Sequence, residues 1–166
     1  MAETTPRIKT FFEQVKSDAK RQFERNGQLR MAMCWMLLDN NDIKLIPINM
    51  SGDKDLISTI LRGAAQTFKP IALSFVSECW VAKREFVKGE SVNETVERYK
   101  NMKVSEQPDK TEALFQINET RVSSENITIP IKRDSKGRPV LCDEYSIKSS
   151  IGGRFCHLLY DSTKQN

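Results

Sequence analysis

The sequence predicts an α+β domain: a single mixed, mainly antiparallel sheet with two main helices packed on one face, in the order α-β-β-α-β-(α)-β-β-β-(β). Three observations predict it. Apolar residues recur at helical spacing in two segments, two apolar runs flank an Asp/Asn cluster at 39–42, and the last third alternates apolar and polar residues. The length of 166 residues suits one domain over residues 1–160, followed by a frayed tail at 161–166.

The first helix is predicted to begin at Thr5 and Pro6, because a threonine hydroxyl caps free amides and proline suits the first helical position. It should end near Asn26-Gly27. Its apolar stripe consists of Ile8, Phe11, Phe12, Val15, Ala19 and Phe23. Such a stripe could dock on the protein's own sheet or on a second subunit, and the first is favoured because core stripes are commoner.

A β-hairpin is predicted next, with strands over Met31–Leu38 and Ile43–Met50. The intervening Asp and Asn residues tolerate left-handed backbone and form tight turns. Apolar residues occupy both alternating faces of the first strand. The strand should therefore be covered on both sides, or on one side by a partner chain.

A second amphipathic helix is predicted between Asp53, which can cap it, and Pro70, which cannot continue it. A third strand should follow over Ile71–Ala82. Strand, helix and strand in this order predict a right-handed crossover that places the third strand parallel to a neighbour.

The polar section over residues 85–110 reads as a connection or lid, and Ser91 with Glu94 predicts a capping box for a short helix inside it. The last third predicts a meander in which Pro130 marks an edge strand. Its strands are expected over Glu112–Thr120, Asn126–Arg133 and Arg138–Ile147, with an optional one over Phe155–Tyr160 and a turn at residues 134–137.

Composition and charge disfavour several function classes. The 26 basic and 22 acidic residues are interspersed, so the net charge of +4 forms no basic block and disfavours nucleic-acid binding. No secretory pattern or membrane-length apolar run is present, which predicts a cytoplasmic protein without a membrane partner. Four dispersed cysteines and a single histidine predict no metal site, no redox motif and no cofactor.

Glu78 is the first candidate site residue. It lies in an apolar strand on the same face as Val76 and Trp80. A buried carboxylate could act as a general acid or base, or anchor a ligand. The favoured alternatives are a strand end in solvent and a structural ion pair.

His157 is a further catalytic candidate because it adjoins Cys156. Neighbouring strand residues face opposite sides, so these two cannot form a nucleophile and base in direct contact. His157 could meet a different cysteine only through folding.

A family resemblance rests on Ser77-Glu78-Cys79-Trp80 in the third strand and on Pro108-Asp109-Lys110 before the fourth. The sequence over about residues 30–120 resembles an uncharacterised bacterial and phage protein family in which a strand ending Ser-Glu-x-Trp precedes a Pro-Asp-Arg/Lys element. Cys79 stands where that family has a small residue, and Lys110 where it has arginine. The resemblance implies a shared α+β fold and a common role for Glu78, Trp80 and Asp109, without an activity.

The function that the sequence favours is a non-catalytic cytosolic binding or assembly protein, with a homodimer as one form of it. The alternative is an enzyme or small-ligand binder whose pocket lies near Glu78 and Trp80, with Arg84 as a further ligand contact and Asp109 and His157 as further catalytic candidates. A weak nucleic-acid binder is the third hypothesis. A second copy, another protein or a small molecule are the partners considered.

Overall fold

The computed structural model describes residues 5–82, 89, 91, 93–94, 97, 110–147 and 155–160. It contains helices α1 (Pro6–Asn26) and α2 (Lys54–Phe68). The strands are β1 (Ala32–Leu37), β2 (Ile43–Ile48), β3 (Ala72–Ala82), β4 (Lys110–Glu119), β5 (Ser124–Arg133), β6 (Pro139–Leu141) and β7 (Tyr145–Ile147). They form a seven-stranded sheet in the order β2-β1-β3-β4-β5-β6, with β7 paired to β5. The predicted α+β class with two helices and a mainly antiparallel sheet is confirmed.

Helix α1 has the predicted ends. The Thr5 hydroxyl accepts a hydrogen bond from the Ile8 N–H, and Pro6 occupies the first turn. Gly27 closes the helix with φ of 72°, a left-handed conformation that glycine adopts without strain, and its N–H donates to the Phe23 carbonyl. The predicted stripe is buried except for Phe12, which is half-buried.

The hairpin of β1 and β2 is also confirmed. The strands pair antiparallel from Ala32 opposite Ile48 to Leu37 opposite Ile43. Asn41 takes the left-handed conformation at φ of 70°, as expected for an Asp/Asn turn.

The predicted parallel neighbour of β3 is wrong. Strand β3 pairs antiparallel with β1 on one side and β4 on the other. It runs in the same direction as β2, but β1 lies between them, so the connection through α2 passes over β1. Because the hairpin leaves one edge of β1 free, β3 fills that edge and every pairing between described strands is antiparallel.

The two helices contact alternate residues of the central strands. Helix α1 packs on Leu37, Ala72 and Val76, whereas α2 packs on Met36, Leu73 and Phe75. Since neighbouring strand residues point to opposite faces, α1 covers one face of the sheet and α2 the other. This is the two-sided cover predicted from the apolar faces of β1, and it differs from the expectation that both helices share one face.

The strand predicted over Arg138–Ile147 is two short strands, β6 and β7, which pair with different parts of β5. Strand β5 is therefore not an edge, contrary to the prediction from Pro130. The proline lies between the stretches that β6 and β7 pair, where its missing N–H interrupts no ladder. Its carbonyl accepts a hydrogen bond from the Cys142 N–H.

Two further predictions have mixed outcomes. Residues 155–160 form turns and bends rather than a strand. The capping box is confirmed: the Ser91 N–H donates to the Glu94 carboxylate at 2.7 Å, and the Glu94 N–H donates to the Ser91 hydroxyl at 3.2 Å. The hydrogen bonds that Ser91 donates to this carboxylate lower the pKa of Glu94. Most of the 85–110 section and the 161–166 tail lie outside the described residues.

Candidate interaction site

Glu78 lies on the α1 side of the sheet, on the same face as Val76 and Trp80, but its side chain is exposed. Its carboxylate accepts a hydrogen bond of 3.0 Å from the Leu29 N–H. Glu78 thus ties the chain after α1 to the sheet, and it lines neither of the grooves described below.

Trp80 is exposed at the far end of β3, and the Lys110 ammonium lies 4.9 Å from the centre of its ring. This geometry is a cation–π contact. Arg84, a predicted ligand contact, and Asp109, a predicted catalytic residue, lie outside the described residues.

His157 takes a left-handed backbone conformation with φ of 57°, and its ring lies 5.4 Å from that of Tyr160. The backbone N–H of His157 donates to the carboxylate of Glu119, which is on the α2 side of the sheet. Glu78 is on the opposite face. The structure therefore does not bring these two catalytic candidates together.

A buried clamp that the sequence reasoning missed holds the segment 155–160. The fully buried Glu119 carboxylate accepts backbone hydrogen bonds from His157 at 2.6 Å, Leu159 at 2.8 Å and Tyr160 at 3.2 Å. Arg62 of α2 donates to the carbonyls of His157 and Cys156. The sequence did contain one indication of this clamp. Glu119 lies two residues after the buried Ile117, so its carboxylate is on the same buried face of the strand.

Three of the four cysteine thiols are poor nucleophiles. Burial, with a smaller contribution from Glu119, raises the pKa of Cys34 to about 12, and burial with Glu78 raises that of Cys79 to about 11. Burial and Glu119 also raise the pKa of Cys156, although Arg62 opposes them. The thiolate, which is the reactive form, is therefore scarce at these positions near neutral pH.

We expect Cys34 to resist iodoacetamide in the folded protein, because a pKa of about 12 leaves only about one thiol in 10⁴ ionised at pH 8. Labelling followed by mass spectrometry of peptides measures this. In concentrated guanidinium, which unfolds the protein and exposes its thiols, all four cysteines should react. Equal labelling of Cys34 in folded and unfolded protein would contradict the expectation. Folding raises the pKa of Cys34 above 9.0, because burial favours its neutral thiol. The free energy of unfolding should therefore fall as pH rises from 9 towards 12.

Helix α2 is apolar on two sides, which is unusual for a surface helix. Its sheet-facing side buries Ser58, Leu61 and Ala65. On the opposite side, Leu56 is 58% exposed and Ile60 57% exposed. Helical spacing continues this side through Gly63 and Thr67, and we call these four residues the α2 outer stripe.

The α2 outer stripe has an open surface around its small residue. A Cβ atom on Gly63 would meet no atom within 4 Å. The Thr67 hydroxyl donates to the Gly63 carbonyl at 2.9 Å, so its hydrogen-bonding capacity is met within the helix. Leu56 and Ile60 lie one turn apart and form a contiguous exposed apolar patch, the kind of feature that marks protein-interaction surfaces.

A groove of about 650 Å³ lies between α1 and the hairpin, and we call it the α1–β2 groove. Its floor includes Trp35, whose indole N–H is buried and finds no hydrogen-bond acceptor in the described part of the chain. Ile43 and Leu45 of β2 lie on the same face of the sheet as Trp35, and each is 46% exposed. Ile43 lines the groove together with Lys9, Glu13, Asp18 and Arg21 of α1.

A second groove of about 440 Å³ lies on the other flank of α1. Lys16 in its wall donates to Glu13 and Glu144, each at 3.1 Å. Burial alone would lower the pKa of Lys16, but these hydrogen bonds outweigh it and the net shift is upward. The closed ion pairs tie the segment before β7 to α1, which is a structural role.

Comparisons with known proteins provide no further assignment. No family model, curated protein or solved structure matches this sequence. The part of the chain that the structure describes has no cluster of three or more histidine, cysteine or acidic side chains placed to hold a metal ion. Neither described helix has the length and apolar character needed to span a membrane. The resemblance built on Glu78 and Trp80 stays a prediction.

Proposed function

We propose that this protein is a non-catalytic assembly protein that forms a homodimer through the α2 outer stripe. The observation that carries the proposal is the exposure of Leu56 and Ile60 on the side of α2 that faces away from its own sheet. Covering two large aliphatic side chains removes apolar surface from water at about 25 cal/mol per Å². A second copy of α2 offers the same apolar surface in return.

The stripe is complementary to itself in an antiparallel pairing. A two-fold axis midway between Leu61 and Arg62 sets Ile60 against Gly63 of the second copy, and Leu56 against Thr67. Each large side chain then meets a small one, as knobs fit holes in packed helices. An interface related by a two-fold axis requires this kind of self-complementarity.

The charges at the helix ends favour the antiparallel arrangement. Asp53 and Asp55 lie at the first turn of α2, and Lys69 caps its other end. Antiparallel pairing brings the acidic end of one helix to the basic end of the other, and it also opposes the two helix dipoles. Lys54, at the same end, occupies a helical position on the sheet side, away from the stripe.

The placement of the candidate catalytic residues supports a non-catalytic role. Glu78 is exposed and bonded to backbone, while His157 lies on the other face of the sheet. The thiols of Cys34, Cys79 and Cys156 all have raised pKa values. No nucleophile and base from these residues share a cavity among those described.

We expect Ile60→Asp to convert a dimer into a monomer, because an aspartate at the centre of the interface would bury a charge without a partner. Light scattering coupled to size exclusion at about 50 μM should show the loss of the dimer, since micromolar affinity is what a small interface sustains. Val122→Asp is the matched control, because Val122 is a similarly exposed aliphatic residue in the β4–β5 turn. A monomeric wild type, or an unchanged Ile60→Asp variant, would contradict the proposal.

Two further variants test the pairing geometry. Gly63→Gln should stabilise the monomer by about 0.5–1 kcal/mol, because glutamine is the better helix former and the position is open. It should nevertheless weaken the dimer at least about tenfold, since it fills the space that Ile60 of the second copy needs. Leu56→Glu should weaken the dimer, and adding Thr67→Lys should restore it by an ion pair between copies. Failure of this rescue would refute the register.

A further inference from the structure

Among the described residues, no strand pairs with the outer edge of β2, so this edge presents unused backbone hydrogen-bonding groups. The Leu38 N–H donates to the Asp42 carbonyl, which identifies that pair as a hydrogen-bonded one. Hydrogen-bonded and non-bonded pairs alternate along an antiparallel ladder. Lys44, Ile46 and Ile48 therefore bond to β1, whereas the N–H groups of Ile43 and Leu45 and the carbonyls of Ile43, Leu45 and Pro47 point away from the sheet.

The groups that point outward belong to the residues whose side chains lie beside the α1–β2 groove. Ile43 and Leu45 are half-exposed on the α1 face of the sheet, next to Trp35. A strand added at this edge would place every second side chain on that face. Those side chains would reach the groove of about 650 Å³ and cover Ile43 and Leu45.

We propose that the edge of β2 accepts an extended peptide segment of another protein as an additional antiparallel strand. The segment is apolar at every second residue, and those side chains occupy the α1–β2 groove. Backbone hydrogen bonds would supply affinity, and the groove would supply specificity. This inference goes beyond the proposed homodimer, because it concerns the opposite face of the sheet and a different partner.

The groove also selects for charge. Glu13 pairs with Lys16 at 3.1 Å, and Asp18 pairs with Arg21 at 3.1 Å. Lys9 also lines the groove, and the described part of the chain provides no acidic side chain that pairs with its ammonium group. A segment that carries an acidic residue beside its apolar positions would meet this charge.

Pairing of β2 with a second copy fits the edge less well. A two-fold axis at Lys44 would set two lysines opposite each other, and directly opposed like charges are destabilising. An axis at Leu45 would set Ile43 against Pro47, which has no N–H to donate to the Ile43 carbonyl. A peptide without proline or lysine at these positions can use both donors and all three acceptors.

Hydrogen exchange measured by NMR on the 166-residue chain tests the inference. The amides of Ile43 and Leu45 should exchange quickly in the free protein, whereas those of Lys44 and Ile46 are protected. The probe is a pool of synthetic hexapeptides with valine, isoleucine or leucine at positions 2 and 4, threonine between them and glutamate at position 6. We expect the pool to slow exchange at Ile43 and Leu45 at least about tenfold.

The control pool carries N-methyl groups on the peptide amides that would face β2, and it should give no protection. Leu45→Pro removes one outward N–H without breaking the β1–β2 ladder, and it should weaken binding at least about tenfold. The inference is overturned if no pool protects these amides, or if both pools protect them equally. Protection that rises with protein concentration in the absence of peptide would also overturn it, since a second copy would then occupy the edge. Repeating the titration in Ile60→Asp separates this outcome from dimerisation through α2.

Discussion

Phe75→Ala is expected to destabilise the protein by about 3–5 kcal/mol, the range found for large-to-small changes in well-packed cores. Phe75 lies in the central strand β3 and is 1% exposed. Its side chain is on the α2 side of the sheet, in the same apolar cluster as residues of α2 and of the segment 155–160. Its ring stacks on that of Phe155 with centroids 4.8 Å apart. Alanine would leave a cavity that the two neighbouring strands are too constrained to fill.

Urea unfolding followed by circular dichroism gives the free energy of unfolding for this comparison. Phe68→Ala is the matched control, since Phe68 is 41% exposed at the end of α2 and should change stability by less than about 1 kcal/mol. Phe75→Leu, which retains most of the volume, should fall between the two. A loss below about 1 kcal/mol for Phe75→Ala would show that this core does not have the packing described.

Glu119→Gln is expected to cost about 2–5 kcal/mol and to release the segment 155–160. The carboxylate accepts three backbone N–H groups, from His157, Leu159 and Tyr160. Glutamine has one acceptor oxygen, and its NH₂ group would face donors. At least one buried N–H would lose its partner, which carries a desolvation penalty.

The released segment provides a second readout. Cys156 is buried in the wild type and should react faster with iodoacetamide in Glu119→Gln. Glu112→Gln is the matched control, because Glu112 makes a partly exposed ion pair with Arg133 that should contribute no more than about 1 kcal/mol. Equal stability losses in the two variants would contradict the clamp.

The local elements of the fold follow from the sequence because their signals are local. Thr5 and Gly27 mark the ends of α1 through hydrogen bonds to residues within one helical turn. The turn at Asn41 and the cap at Asp53 depend on the same short-range chemistry. Each of these contacts spans four residues or fewer.

The neighbours of each strand could not be predicted in the same way. The pairing of β1 with β3 depends on which edge of the hairpin is free, and nothing near residue 72 encodes it. Pro130 predicts an edge strand, with one side unpaired, yet a three-residue gap between β6 and β7 also leaves the proline without a ladder partner on that side. The segment 155–160 is predicted from the sequence as an optional strand. In the structure its N–H groups instead donate to Glu119, about 40 residues earlier in the chain.

The candidate site was harder to predict than the fold for a related reason. The apolar positions of α2 include Leu56, Ile57, Ile60, Leu61 and Ala65, which at about 100° per residue spread over about half of the helix circumference. Periodicity predicts an amphipathic helix from them, but it cannot tell which half faces the sheet. Exposure of Leu56 and Ile60 is a property of the assembled layers. The sequence did place Glu78 and Trp80 on one face, while their exposure depends on where α1 ends.

The alternation of Met36 and Leu37 along β1 has a consequence for how the fold responds to damage. Each residue belongs to a different apolar cluster, one under α2 and the other under α1. Displacing β1 would expose apolar residues of both clusters at once. The packing under α1 and the packing under α2 should therefore be lost together. The protein should unfold cooperatively, so a destabilising substitution in either helix should lower the stability of the whole domain.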